Sequence, residues 1–186
     1  MELVDQKIII YGGTGSLGKA LIRRLSDKNE LILFSRDEAK HWTIKNKLGD
    51  NSNVKFIVGD IRDVNRVEES LLNNQPSLII IAAALKQVDT CEVSPFESVQ
   101  TNILGIKNII DVCCKHKNNL KSLETVLMVS TDKACAPANV YGMCKSIAER
   151  LVTSSSISIE KPKFIGVRYG NVLESRGSII PLFRHQ

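Results

Sequence analysis

Between residues 130 and 145 the chain reads STDKACAPANVYGMCK, with a threonine, an aspartate, two lysines and a tyrosine close together. Tyr141 and Lys145 form Y-x-x-x-K, and at helical spacing their side chains share one face. An ammonium beside a phenol favours phenolate, so the spacing predicts a tyrosine pKa lowered enough for a base at neutral pH. Ser130 or Thr131 can hydrogen-bond the same substrate oxygen. The chemistry implied is dehydrogenation at a hydroxyl-bearing carbon. Y-x-x-x-K alone recurs by chance; its weight here comes from the Ser-Thr end of the apolar run before it and from a glycine turn near the N-terminus.

That turn, YGGTGSLGK, carries Gly12, Gly15 and Gly18 directly after an apolar run and at the mouth of a helical pattern. The first glycine permits a tight turn, the second lets backbone approach a pyrophosphate, and the third lets helix and strand pack closely. N–H groups of Thr14, Ser16 and Leu17 join the positive end of the helix in holding phosphate. The second apolar run ends in Ser35-Arg36-Asp37. A carboxylate at this place holds the ribose hydroxyl of NAD, whereas Arg36 suits a 2′-phosphate in bidentate fashion, so NADP is the expected cofactor and NAD the weaker alternative. Asp37 is either a ribose ligand or the cap of the next helix. Asp60 is placed to accept from the adenine amino group, with Ile61 against the ring. Ala82, Ala83 and Ala84 let the chain run beside the cofactor, and Lys86 lies just beyond as either a cleft lysine or a solvated loop lysine.

The elements that position these residues follow from two alternating periods. Apolar runs at 7–12, 30–35, 54–60, 77–84, 124–130 and 163–170 read as buried strands. Helical patterns lie between them: one after Gly15, one over 37–48, one capped by Asp63 and running through Leu72, one from Pro95 to about His116, and one over 141–154. TSSSIS (153–158) reads as a loop. Wholly apolar strands alternating with helices predict an α/β, doubly wound parallel sheet of Rossmann type.

Composition narrows the function. The 186 residues are 43% hydrophobic and 24% charged, values of one globular domain with a real core. No apolar run reaches the roughly 18 residues of a membrane helix, and the N-terminus lacks a secretory pattern, so no membrane role and a cytoplasmic setting are expected. Five cysteines, an odd number without a C-x-x-C pair, argue for a reducing compartment and against a metal site. The net charge of +5 is scattered, aromatics are few, and no nucleic-acid partner is expected.

These features identify a short-chain dehydrogenase/reductase of the extended type. STDKACAPANVYGMCK, AAALKQVDTCEVSPFESVQTNILGIKNII and VRYGNVLESRGSIIPLF further resemble the UDP-N-acetylglucosamine 4,6-dehydratases, in the soluble, C5-inverting group linked to flagellin-sugar and capsule-sugar synthesis. The resemblance covers essentially the whole chain. It implies a lyase in which Tyr141 takes the C4 hydroxyl proton during transient hydride transfer to NADP, Lys133 removes the C5 proton, and Asp132 protonates the departing 6-hydroxyl. Catalytic Thr131, Asp132, Lys133, Tyr141 and Lys145 would be joined by substrate contacts from Lys86, Thr131 and Asn171. Arg168 and Tyr169 read as structural, and Asn102 as a buttress for either Lys145 or the loop after the fourth strand. Apolar positions on helices 95–116 and 141–154 (Phe96, Val99, Ile103, Ile106, Ile110 and Cys113; Val140, Ile147 and Leu151) imply a homo-oligomer, since in related enzymes these helices pair across a two-fold axis.

Members of that group continue well past the PLFRHQ at which this sequence stops, and their C-terminal part supplies much of the nucleotide-sugar pocket. Residues 1–186 therefore read as the NADP-binding domain with the catalytic residues, the substrate-binding part being absent after 186. A fragment, a short natural form and completion by a second chain all fit. A nucleotide-sugar epimerase or reductase of the same fold, and a non-catalytic dinucleotide-binding module, are the competing functions.

Overall fold

The computed structural model describes residues 2–49, 53–158 and 160–172. Six strands, β1 (Lys7–Tyr11), β2 (Glu30–Ser35), β3 (Val54–Val58), β4 (Leu78–Ile81), β5 (Thr125–Thr131) and β6 (Lys163–Tyr169), form one parallel sheet in the order β3-β2-β1-β4-β5-β6. This is the doubly wound arrangement expected from the alternating pattern. The order reverses between β1 and β4, where the crevice at the carboxyl ends of the strands forms a natural ligand site.

Each strand sends alternate side chains to opposite faces, and both faces are covered over the centre of the sheet. On one face Ile8, Ile10, Leu31, Leu33 and Ile80 pack with α1 (Ser16–Leu25) and α2 (Glu38–Leu48). On the other, Ile9, Phe34, Ile79, Ile81, Val126 and Met128 pack with α3 (Val64–Asn74) and with two helices described next. Continuous isoleucine and leucine runs are thus the sequence signature of strands buried on both sides.

The helix expected over 95–116 is instead built in pieces, and a short helix precedes it: α4 (Val88–Val93), α5 (Pro95–Val99), a π turn (Gln100–Leu104) and α6 (Gly105–Lys115). The π turn has a tertiary cause. Asn102, wholly buried, accepts from Leu85 N–H at 2.9 Å and donates to the Leu85 carbonyl at 2.8 Å, which ties the turn to the loop after β4. Of the two buttressing roles open to Asn102, it takes the loop. Just beyond, a Cβ on Gly105 would stand 2.6 Å from Ile61 Cδ1, so only glycine permits this approach.

The last helix, α7 (Val140–Ser158), is longer than expected, and the segment TSSSIS is helical rather than a loop. Its hydroxyls make this possible: Thr153 donates to the Glu149 carbonyl, Ser154 and Ser155 to that of Leu151, and Ser156 to Phe164 on β6. The resembling stretch beyond Val172 lies outside the described residues.

Candidate active site

The glycine turn sits where β1 hands over to α1. Gly12 has φ +86°, and a Cβ there would come within 2.6 Å of Ala83 N, so Ala82 and Ala83 pass directly beside it. A Cβ on Gly18 would meet the Gly13 carbonyl oxygen at 2.0 Å, which welds helix to turn. Gly15 differs: only Gly12 O, at 3.2 Å, lies near its Cβ position. A side chain there would project into the crevice rather than into the protein. Asp37 caps α2 through Lys40 N–H, and Asp63 caps α3 through Asn65 and Arg66 N–H, whereas no side chain caps α1 and no acid sits in its first turn. The positive end of α1 therefore faces the crevice, the arrangement that suits a pyrophosphate. These residues fit a dinucleotide cofactor.

The ends of β2 and β3 carry the remaining expected contacts. Asp37 serves as the helix cap. Arg36 is exposed and lies 3.5 Å from Asp60. Asp60 accepts from Arg62 at 2.9 Å and from the Arg62 backbone N–H at 3.0 Å. Burial raises the Asp60 pKa, but Arg62 and Arg36 outweigh it and hold the carboxyl below its ordinary value. The Ile61 side chain is turned into the core beneath Gly105, so it presents no face to an adenine ring. Lys86 is exposed beyond β4.

At the end of β5 the chain turns through a 3₁₀ turn (Asp132–Ala134). Thr131, buried, donates to the Asp132 carboxylate at 2.9 Å and accepts from Lys133 N–H at 3.3 Å. Thr131's hydroxyl, then Lys133, lowers the Asp132 pKa. The Lys133 ammonium lies 3.4 Å from Asp132 and 3.3 Å from Asn171 Oδ1, beyond the end of β6. Gly142, in the first turn of α7, fixes this loop against the helix: a Cβ there would meet the Lys133 carbonyl oxygen at 2.3 Å.

Tyr141 and Lys145 occupy one face of α7, as the spacing predicts, but the expected lowering of the phenol pKa is absent. Burial, and then Tyr169, pushes the Tyr141 pKa up to about 12, while a hydrogen bond with Thr131 pulls against them. The reason is geometric. Lys145 is only 2% exposed and donates to the Val129 carbonyl at 2.7 Å, beneath β5. Burial brings its pKa down to about 8. Thr131, not Ser130, is the hydroxyl bonded to the phenol. The structure therefore brings Thr131, Asp132, Lys133, Tyr141, Lys145 and Asn171 to one end of the sheet, across the crevice from Gly12–Gly18, Ser35, Arg36 and Asp60.

Tyr169, read from sequence as structural, is a neighbour of the phenol; no spacing signal marks it, because β6 brings it there through the sheet. Arg168 is structural as expected, bridging β6 to α7 with two bonds to Glu149 at 2.8 and 2.5 Å. No group of three or more His, Cys, Asp or Glu able to hold a metal occurs among the described residues.

Comparison with known proteins places this site in a family. Residues 8–186 match the family described as "Polysaccharide biosynthesis protein", and the chain belongs to it. A protein named UDP-glucose 4-epimerase from Rickettsia canadensis is 39% identical over 191 aligned residues, covering 98% of this chain and 54% of its own length. The structure of Pen from Bacillus thuringiensis matches with a TM-score of 0.90 at 37% identity, over 100% of this chain and 57% of that one. UDP-glucose 4-epimerase from Brucella ovis, solved in complex with NAD, shares the fold with a TM-score of 0.74 at 19% identity, over 89% of this chain and 52% of that one. The chain thus spans about half the length of the relatives it matches.

Proposed function

We propose that residues 1–186 carry the NADP site and the catalytic groups of a nucleotide-sugar 4,6-dehydratase, a lyase acting on UDP-N-acetylglucosamine with inversion at C5. The observation that supports this reading best is the grouping of an acid–amine pair with a tyrosine: the Lys133 ammonium lies 3.4 Å from Asp132, and Asp132 and Thr131 both act on the Tyr141 phenol. Water loss between C5 and C6 needs a base for the C5 proton and an acid for the 6-oxygen, and it needs a 4-ketone first to acidify C5.

Each residue's part follows from its surroundings. Tyr141 accepts the C4 hydroxyl proton, with Thr131 holding the same oxygen. Its phenol stands too high for a base at neutral pH, and Lys145, one helical turn on, would have to leave the Val129 carbonyl to bring it down. The dinucleotide, when bound, supplies the acceptor and later the donor of the hydride. Asp132 and Lys133 face water as a carboxylate and an ammonium; excluding water from a charged pair favours its neutral form, a carboxylic acid beside an amine. That neutral pair is the acid and base the elimination requires. Lys133 would return a proton to C5 from the opposite face. Asn171 orients the Lys133 amine, and Lys86 reaches the substrate from beyond β4.

NADP is preferred over NAD on the strength of Arg36, an exposed guanidinium at the end of β2. No described helix is long and apolar enough to cross a membrane, and the five cysteines are unpaired thiols, which suits a cytoplasmic setting.

A 4-epimerase is the second reading, favoured by the name of the Rickettsia canadensis relative. In it Tyr141 does all the proton transfer while Asp132 and Lys133 merely bind the sugar. Incubation of the purified protein with UDP-N-acetylglucosamine and NADP, followed by mass spectrometry, separates the two. The dehydratase yields a product lighter by one water and incorporates solvent deuterium at C5; Lys133→Ala abolishes both while NADP binding persists. An isobaric product in the wild-type protein would establish the epimerase. Cofactor binding without any turnover would leave a dinucleotide-binding module.

A further inference from the structure

A row of buried and half-buried polar groups runs from the glycine turn through the end of β2 into α2, and the reaction above makes no use of its far end. Thr14 Oγ1 donates to Ser35 Oγ at 3.0 Å, and Ser35 Oγ lies 2.7 Å from His41 Nε2. His41 is 5% exposed and packs at a tilt on Phe56, with ring centroids 5.4 Å apart. Its other nitrogen, Nδ1, is buried without a protein partner among the described residues.

That orphaned nitrogen decides the tautomer. A buried N–H without an acceptor is rarer and costlier than an unused lone pair. The neutral ring therefore carries its proton on Nε2 and donates it to Ser35. Ser35 Oγ then accepts twice, from Thr14 and from His41, and its own hydrogen has no acceptor within the row. It is free to be donated into the crevice where the adenosine ribose of a dinucleotide belongs. In the opposite tautomer Ser35 would spend its hydrogen on His41 and offer the ligand nothing. A ribose hydroxyl can donate or accept, but a 2′-phosphate can only accept, so the donor state of Ser35 favours the phosphate.

We propose that His41 is a positioning residue that sets cofactor specificity, turning the Ser35 hydroxyl toward a 2′-phosphate and doing so more strongly when its ring is protonated. The inference rests on the dinucleotide reading of the glycine turn. Its pH dependence has a definite sign. Burial holds the His41 pKa below its ordinary value, against the pull of Asp37 and Glu38 on its own helix. The cavity beside it, about 920 Å³ between α2, β3 and α3, is lined by Lys45, Lys55, Arg66 and Glu69 as well as Glu38. Arg36 and Asp60 stand on the cofactor side. Protonating Nδ1 leaves an N–H without a partner, a cost that an added dianion two bonds along the row offsets, so the dianion shifts His41 toward imidazolium. NADP binding thus takes up a proton, and preference for NADP over NAD grows as pH falls toward the His41 pKa. The second ionisation of a 2′-phosphate, near pH 6, acts in the other direction and is common to all variants.

Dissociation constants for NADP and NAD, measured from pH 6 to pH 8.5 on the unsubstituted protein, His41→Gln and His41→Leu, test this. Gln keeps an N–H for Ser35 but cannot titrate. It should retain the NADP preference, while the ratio of its NADP constant to the wild-type one shifts about fivefold across the range and its NAD constants follow the wild type. Leu should weaken NADP about tenfold and leave NAD unchanged. Imidazole ¹⁵N resonances of the unsubstituted protein give an answer even if a variant fails to fold: Nε2 protonated in the neutral form, and a titration midpoint raised by NADP but not by NAD. A midpoint indifferent to NADP, or equal losses for both cofactors in His41→Leu, overturns the inference and leaves the dinucleotide site standing. Failure of both cofactors to bind overturns the two together.

Discussion

Lys145 shows how much a single side chain can cost and still be kept. Its ammonium is buried against the Val129 carbonyl, with a pKa near 8 against an ordinary 10.5. Between those values the unfolded chain binds a proton that the folded chain has released, so stability attributable to this group rises with pH over that window. Below pH 8 the full penalty applies. Relative to Lys145→Met, the unsubstituted protein should gain roughly 2–3 kcal/mol of unfolding free energy from pH 7 to pH 10.5, measured by denaturant titration of both proteins at each pH. Parallel curves would mean that the lysine keeps its ordinary pKa in the folded protein. The chemistry of individual residues was legible in the sequence where it depended on spacing along one helix, as for Tyr141 and Lys145. It was not legible where it depended on depth. Burial of the phenol, the inward turn of Ile61 and the buried position of His41 arise from packing between elements that no local spacing encodes.

At the scale of elements, the strands and their order followed from the apolar runs, because a strand buried on both faces leaves little choice of residue. The helix over 95–115 was the part that pattern reading simplified. An extra residue in the π turn leaves the three-and-four spacing of apolar residues nearly intact, so periodicity hides it. What holds it is Asn102. Asn102→Ala would leave the half-buried Leu85 N–H without its partner and the Leu85 carbonyl with only the Cys91 thiol at 3.7 Å. A loss of about 2–3 kcal/mol in unfolding free energy is expected, together with faster hydrogen exchange at the Leu85 amide. Unchanged exchange at Leu85 would show that the loop after β4 is held by other contacts. Likewise α7 runs through its serines because their hydroxyls find carbonyls one turn back, a compensation that composition alone does not announce.

Across the molecule, the two helices expected to mediate assembly divide their apolar residues between two tasks. Ile106, Ile110 and Cys113 are core. Phe96 (67% exposed), Leu104, Met143 and Ile147 (49% exposed) stay on the surface, where the pairing expected from the sequence would place a second copy. Ile147→Asp should convert a dimer to a monomer in sedimentation equilibrium, with the thermal midpoint of the monomer little changed; a wild-type protein that is monomeric at high concentration would rule the pairing out. The one-residue surplus in the π turn gives this surface its aim. Along an ordinary helix each residue advances the azimuth by about 100°. Removing one residue from 100–104 would therefore swing α5 and Phe96 round like a mis-set gear tooth, while the core half of the helix kept its place. The length of that turn thus sets the direction in which Phe96 points, apart from the packing of α6 against the sheet.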